Sequence, residues 1–246
     1  MTFELQLAIL GLAGFVFGIL SGISGGGAGL VMTPLAIAIG LPPQTAVATL
    51  KMAGLGAAFG GLTVFLKSGH IRKDILRVMV PIVVFIGLAT PFVFKLIEGE
   101  IFQKIIGVLV LLLVPTLFIK KTATSSPSKR RRGLGFILYS LIMAIQALFS
   151  AGAGVLATFV LTLLFGTTKL EANATKRAVT AFMVPITFTG LLIAGFVSLP
   201  HGIVLLIAGF IGTHIGSKIA LKKGEDFVTI ATAIAASISG IWLLFG

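Results

Sequence analysis

Ten apolar segments decide which solvent this chain folds in. They lie at about 3–22, 28–40, 45–66, 75–97, 101–119, 134–149, 153–166, 178–196, 202–219 and 227–245. Apolar runs of roughly 17–25 residues match the hydrocarbon thickness of a bilayer. Of the 246 residues 57% are hydrophobic and 11% charged, whereas soluble domains carry about 25% charge. The predicted fold is therefore an all-α polytopic membrane protein. Segments 28–40 and 153–166 are short for a crossing and read as tilted, half-length or re-entrant.

The N-terminal MTFELQLAILGLAGFVFGIL lacks a basic n-region and reads as a first transmembrane helix rather than a cleaved signal. With no cysteine in the chain, disulfides, thiolate chemistry and Cys-based metal sites are excluded. A net charge of +12 would suggest nucleic acid in a soluble protein. Here the basic residues cluster between apolar segments, as on a cytoplasmic membrane face, so no nucleic-acid partner is expected. The one clearly hydrophilic stretch, Lys120 to Arg132, has six basic residues and no acid. It is predicted to be a cytoplasmic linker between a first transmembrane repeat at 1–119 and a second at 133–246.

The two halves match without gaps over long stretches. At an offset of 126, Ser24 falls on Ser150, Gly26 on Gly152, Gly40 on Gly166 and Gly69 on Gly195. The same offset pairs Thr49 with Thr175 and Lys51 with Arg177. The loop near 67–77 carries Lys67, Arg72, Lys73 and Arg77, while its counterpart at 195–201 has no Lys or Arg. Conversely, 41–44 is uncharged, while 167–177 carries Lys169, Lys176 and Arg177. Equivalent loops that alternate in charge predict two inverted-topology repeats of about five helical segments each. Both termini would then lie outside, and a substrate site would lie between the repeats.

Gly14 to Lys51 concentrates the chemistry. Gly14, Gly18 and Gly22 recur every four residues and suit close helix packing. That face would serve a homodimer as well as an internal contact. Ser24, Gly25, Gly26 and Gly27 then break the helix, and the helix that restarts offers free N–H groups that attract anions. Ser150 and Gly152 repeat the break with fewer glycines. Lys51 and Arg177 each follow a threonine (Thr49, Thr175) by two residues inside otherwise apolar segments. Snorkelling to the interface is the alternative to a role on a substrate path. Asn173 adds a donor in the second half only. Gln146 faces either the cavity or a neighbouring helix, and His214 is expected to be a hydrogen-bonded packing residue. Pro34, Pro81, Pro91, Pro115 and Pro185 are candidate kinks.

All seven acids, Glu4, Asp74, Glu98, Glu100, Glu171, Glu225 and Asp226, are placed in or beside loops. Basic residues without acidic partners favour an anionic substrate. No intramembrane nucleophile–base pair or metal-ligand spacing appears, so neither an enzyme nor a cofactor or metal is expected. A channel or a non-transporting assembly subunit is the alternative.

At GILSGISGGGAGLVMTPLA, AVATLK and ALFSAGAGVLATFVLTLLFG the chain resembles the sulfite exporter TauE/SafE family of bacterial membrane permeases. The resemblance covers essentially the whole chain. It implies a cell-membrane permease for a sulfur-containing anion such as sulfite or a sulfonate, often moved outward.

Overall fold

The computed structural model describes residues 1–26, 28–97, 128–149 and 153–245, with backbone only for 28, 30, 155 and 224–245. Eight helices follow in order: α1 Phe3–Ser24, α2 Ala28–Ala38, α3 Pro43–Phe65, α4 Lys73–Leu96, α5 Lys129–Phe149, α6 Ala153–Phe165, α7 Lys169–Ile193 and α8 Leu199–Phe245. Six stretches are long and apolar enough to cross a membrane: α1, α3, α4, α5, α7 and Leu199–Lys223 of α8. Leu12, Phe85, Phe92, Leu96 and Ile193 are exposed on the outside, as suits surfaces solvated by lipid.

Several expectations need correction. The predicted segment at 101–119, Pro115, Glu98, Glu100 and linker residues 120–127 lie outside the described residues. The linker's last four residues, Lys129–Arg132, form the first turn of α5. Residues 169–177 are helical rather than a loop, because Thr168 and Glu171 form a capping box. Thr168 Oγ1 accepts from Glu171 N at 3.2 Å, and Glu171 Oε2 accepts from Thr168 N at 2.9 Å. Lys176 and Arg177 are therefore buried helix residues, and Lys169 is the first residue of the helix rather than a loop charge. Segments 202–219 and 227–245 are joined in one 47-residue helix. The backbone stays helical through Gly224, so Glu225 and Asp226 do not fall in a loop. Thr168→Ala removes the side-chain cap bond, while the backbone N–H at 168 can still donate to Glu171; we expect it to cost about 1 kcal/mol, read as a lower thermal midpoint with the membrane fold retained.

Two of the hydrophobic clusters among the described residues form the main cores. Leu10, Met32, Ala36, Leu50 and Leu205 join α1, α2 and α3 to α8. Met79, Tyr139, Leu161 and Met183 join α4 to α5, α6 and α7. In each core the fourth helix comes from the other half of the chain. The glycine face of α1 is used internally: Gly14 lies against Leu205 and Ala208, Gly18 against Gly212, and Gly22 against Thr213 and Gly216. These contacts make α1 and α8 parallel, and α3 runs with them, since Thr63 Oγ1 meets His214 Nδ1 at 3.0 Å. The expected packing role of His214 is this bond. In the second core, Asp74 pairs with Arg132 and Met79 meets Ser140, so α4 and α5 are parallel. Gly87 against Ile186 and Pro91 against Gly190 set α7 in the same direction. Across the junction α3 and α7 are antiparallel, with Gly61 against Arg177 and Gly54 against Val184.

The short helices return the chain as far as α1 carries it out. From Gln6 to Ser24, α1 rises about 27 Å. The eleven residues of α2 cover about 16 Å of the way back. Gln6 Nε2 donates to Ile39 O at 2.7 Å. In the second half, the end of α6 reaches the start of α5, where Phe165 packs edge-on against Phe136. Segments 28–40 and 153–166 thus lead back across the bundle despite their length.

Candidate functional site

The site forms where the ends of α1 and α5 meet α3 and α7. Gly25 ends α1 with φ +81°, a conformation natural to glycine, and donates to Ser21 O at 2.9 Å. The last carbonyls of α1 find further donors on α7. Asn173 Nδ2 donates to Gly22 O at 3.0 Å and to Ile23 O at 3.4 Å. Arg177 donates through Nη2 to Ser21 O, through Nη1 to Ala57 O at 2.9 Å, and through Nε to Asn173 Oδ1 at 3.0 Å. A cation at a helix C-terminus is held by the partial negative charge there. Gly61 leaves the room Arg177 needs, since a Cβ at that position would collide with its side chain.

Lys51 does the same in the other half. Its Nζ donates to Gln146 O at 2.8 Å, near the C-terminus of α5. The residues aligned at an offset of 126 thus have matching places, each capping the first helix of the opposite half. Thr49 and Thr175 also match, but away from the cavity. Thr49 Oγ1 accepts from Ser198 N and Thr175 Oγ1 from Arg72 N, each at 3.0 Å. Ser198 lies 126 residues after Arg72, so the two bonds are equivalent as well. Both threonines are fully buried.

Between these helix ends lies a cavity of about 140 Å³, enough for about ten water-sized probes or for an anion of a few heavy atoms. Gly26, Lys51 and Arg177 line it, as does Gln146, which the sequence placed either at the cavity or against a neighbouring helix; Ser21, Gly154, Lys176 and Thr180 also line it, and the sequence alone did not assign them to a site. Ser24, Gly25, Asn173, Thr49 and Thr175 are not part of its wall. Ser24 Oγ instead donates to Leu20 O at 2.8 Å and to Gly26 O at 2.7 Å, steadying the break. Gly27, Ser150 and Gly152 lie outside the described residues. Among the described residues, three cations and no carboxylate line the cavity.

Lys176 was hidden by its apparent position in a polar loop. The capping box at Thr168 and Glu171 is the signal that would have moved it into a helix. Its exposure is 6%, and no carboxylate stands beside it among the described residues lining the cavity. Gln146 Oε1 and Thr180 Oγ1, on the same wall, are buried without partners.

Residues 10–243 match the family model described as sulfite exporter TauE/SafE. The chain belongs to this family. A probable membrane transporter protein of Haemophilus influenzae is 26% identical over 229 residues, covering 90% of this chain and 88% of its own. The probable membrane transporter protein YfcA of Escherichia coli is 23% identical, over 100% of this chain and 92% of its own. The probable membrane transporter protein ORF9 of a Sinorhizobium species is 24% identical, over 97% and 92% respectively. No solved structure matches. This TauE/SafE chain is accordingly a multi-pass membrane transporter.

Proposed function

We propose that this TauE/SafE protein is a permease, working as an exporter, for a small anion such as sulfite, a sulfonate or another sulfur oxyanion. One observation carries the reading: the cavity is walled by Lys51, Lys176 and Arg177 with no carboxylate among the described residues lining it. Uncompensated buried charge costs several kcal/mol, and an anion in the cavity offsets that cost. Family membership and the transporter names of the relatives agree with flux as the activity.

Transport proceeds by alternating access between two inverted repeats. The antiparallel α3 and α7, the two cores built from exchanged helices and the paired threonine bonds support this arrangement. The orientation follows from charge. One end of the bundle carries Lys67, Arg72, Lys73, Arg77, Lys129 to Arg132, Lys169, Lys218, Lys222 and Lys223. At the opposite end the described residues carry Lys95 alone. The basic end faces the cytoplasm of a bacterial inner membrane, and the N-terminus faces outward. Export of an anion from a negative-inside cell gains about 2.3 kcal/mol per charge per 100 mV, so no coupled ion is required.

The test is sulfite flux from proteoliposomes of the purified chain. Saturable flux with counterflow is expected, and Lys51→Gln should lower the initial rate at least tenfold while the thermal midpoint shifts little. Flux that rises linearly with concentration would point to a channel. Unchanged flux in the variant would remove Lys51 from the site.

A further inference from the structure

The matching helix pairs of the two cores pack differently. In the first core α3 meets α8 backbone to backbone. A Cβ on Gly56 would run into Leu206 O, one on Gly60 into Phe210 O, and one on Gly209 would lie 2.8 Å from Ala53 O. At an offset of 126, α7 carries Phe182 in place of Gly56 and Ile186 in place of Gly60. Side chains of that size hold a second backbone away. In the second core α7 therefore meets α4 through Gly87 against Ile186 and Gly190 against Pro91. Outside these contacts the two helices leave an open groove of about 600 Å³, a volume in the range of about 300–1,000 Å³ found for ligand sites. Leu88, Phe92 and Ile193 on its walls are exposed, so the groove opens onto the lipid-facing side of the bundle.

Polar groups in the groove are few, and they come in a definite order. Lys95 stands at the mouth, in the last turn of α4. Thr189 stands about one helical turn deeper, beside the Gly190 that faces Pro91. Below it the lining is apolar as far as Gly87, eight residues before Lys95 and about 12 Å deeper. One leaflet's share of the hydrocarbon core is about 15 Å, so the groove spans most of a leaflet. A cation, then a hydroxyl, then an apolar channel mirrors an anionic glycerophospholipid, which presents a phosphate, then ester carbonyls, then acyl chains.

Charge points to the same occupant. Lys95 is the one Lys or Arg that the described residues carry at this end of the bundle. Membrane proteins concentrate their basic residues at the opposite face, so a lysine kept at the mouth of a groove calls for a counter-charge. A lipid phosphate supplies it through a charge-assisted hydrogen bond.

We propose that the groove between α4 and α7 binds one anionic glycerophospholipid from the leaflet at this end. The phosphate sits on Lys95, an ester carbonyl accepts from Thr189, and one acyl chain runs along Leu88, Pro185 and Ile186. The lipid fills the gap left by the bulky face of α7 and ties the ends of α4 and α7 together.

The test uses the purified full-length chain stripped of lipid. Phosphatidylglycerol and phosphatidylcholine with identical acyl chains are the probes, read by native mass spectrometry and thermal shift. The wild type should retain phosphatidylglycerol roughly fivefold more tightly than phosphatidylcholine and should melt higher with it. Lys95→Gln should erase that preference without moving the lipid-free thermal midpoint. Thr189→Trp, which places an indole in the groove, should lose the tight lipid at an unchanged lipid-free midpoint. Equal retention of the two lipids by the wild type, or an undiminished preference in either variant, overturns the assignment. Because the chain has no cysteine, Ile193→Cys reports other occupants. A disulfide-linked dimer gives the groove to a second copy, and a crosslink to a cysteine introduced at 101–119 gives it to the chain itself. Either result overturns the proposal and leaves the transporter reading intact.

Discussion

Valine at Gly22 will keep α1 and α8 from closing, and little folded protein will be recovered. A Cβ at Gly22 would lie 2.7 Å from Thr213 O, 2.8 Å from Gly216 Cα and 2.8 Å from Ser217 N. All three are backbone atoms, so no side chain can rotate aside, and the helices must separate along the seam. Overpacking of this kind costs about 1–3 kcal/mol where neighbours yield, and here they do not. Separation would also break the bond from Thr213 Oγ1 to Gly18 O, now 3.1 Å, inside the membrane. The expected drop in thermal midpoint is about 10 °C or more, with an aggregated profile in size-exclusion chromatography. Gly133→Ala is the matched control, since nothing lies within 4 Å of its added methyl group. A Gly22→Val protein as stable as that control would mean that the two helices do not meet as described.

Arg177→Met will abolish flux by a different route. It leaves Asn173 Oδ1 without its donor and takes the second donor from Ser21 O and Ala57 O, which keep backbone partners. A buried acceptor left unsatisfied costs about 1–3 kcal/mol, and the end of α1 also loses its counter-charge. Transport should fall to background together with a marked loss of thermal stability. Arg177→Lys, which keeps the charge but lacks the planar fork, should recover the stability in part.

Much of the architecture could be read from residue order because the membrane imposes it. Apolar length marks six crossings that reappear as helices, and the aligned Lys51 and Arg177 do reach one cavity. Thr49 and Thr175 were associated with substrate by their proximity in sequence. Helical geometry turns them away, toward backbone amides of the opposite half. Lys176 was taken for a loop charge because the polar run around it outweighed one capping box. The charged run between segments 202–219 and 227–245 read as a loop, yet the backbone continues helical through it. Neither the partner of Asn173 nor the exchange of α4 and α8 between cores has a local signal. Both depend on contacts distant in sequence, from 58 residues for Asp74 with Arg132 to 195 for Gly18 with Thr213.

That exchange also bears on how the protein is made. The seam that receives α8 is presented by α1 and α3, which leave the ribosome first, while α8 emerges last. During synthesis the glycine face of α1 therefore waits in lipid for a helix some two hundred residues downstream, and α4 waits for α5 and α7. Neither half can mature as an independent unit, so maturation is held until translation is nearly complete. Two fragments divided within the linker would each be unfinished when expressed alone, yet could restore one another when produced in the same cell.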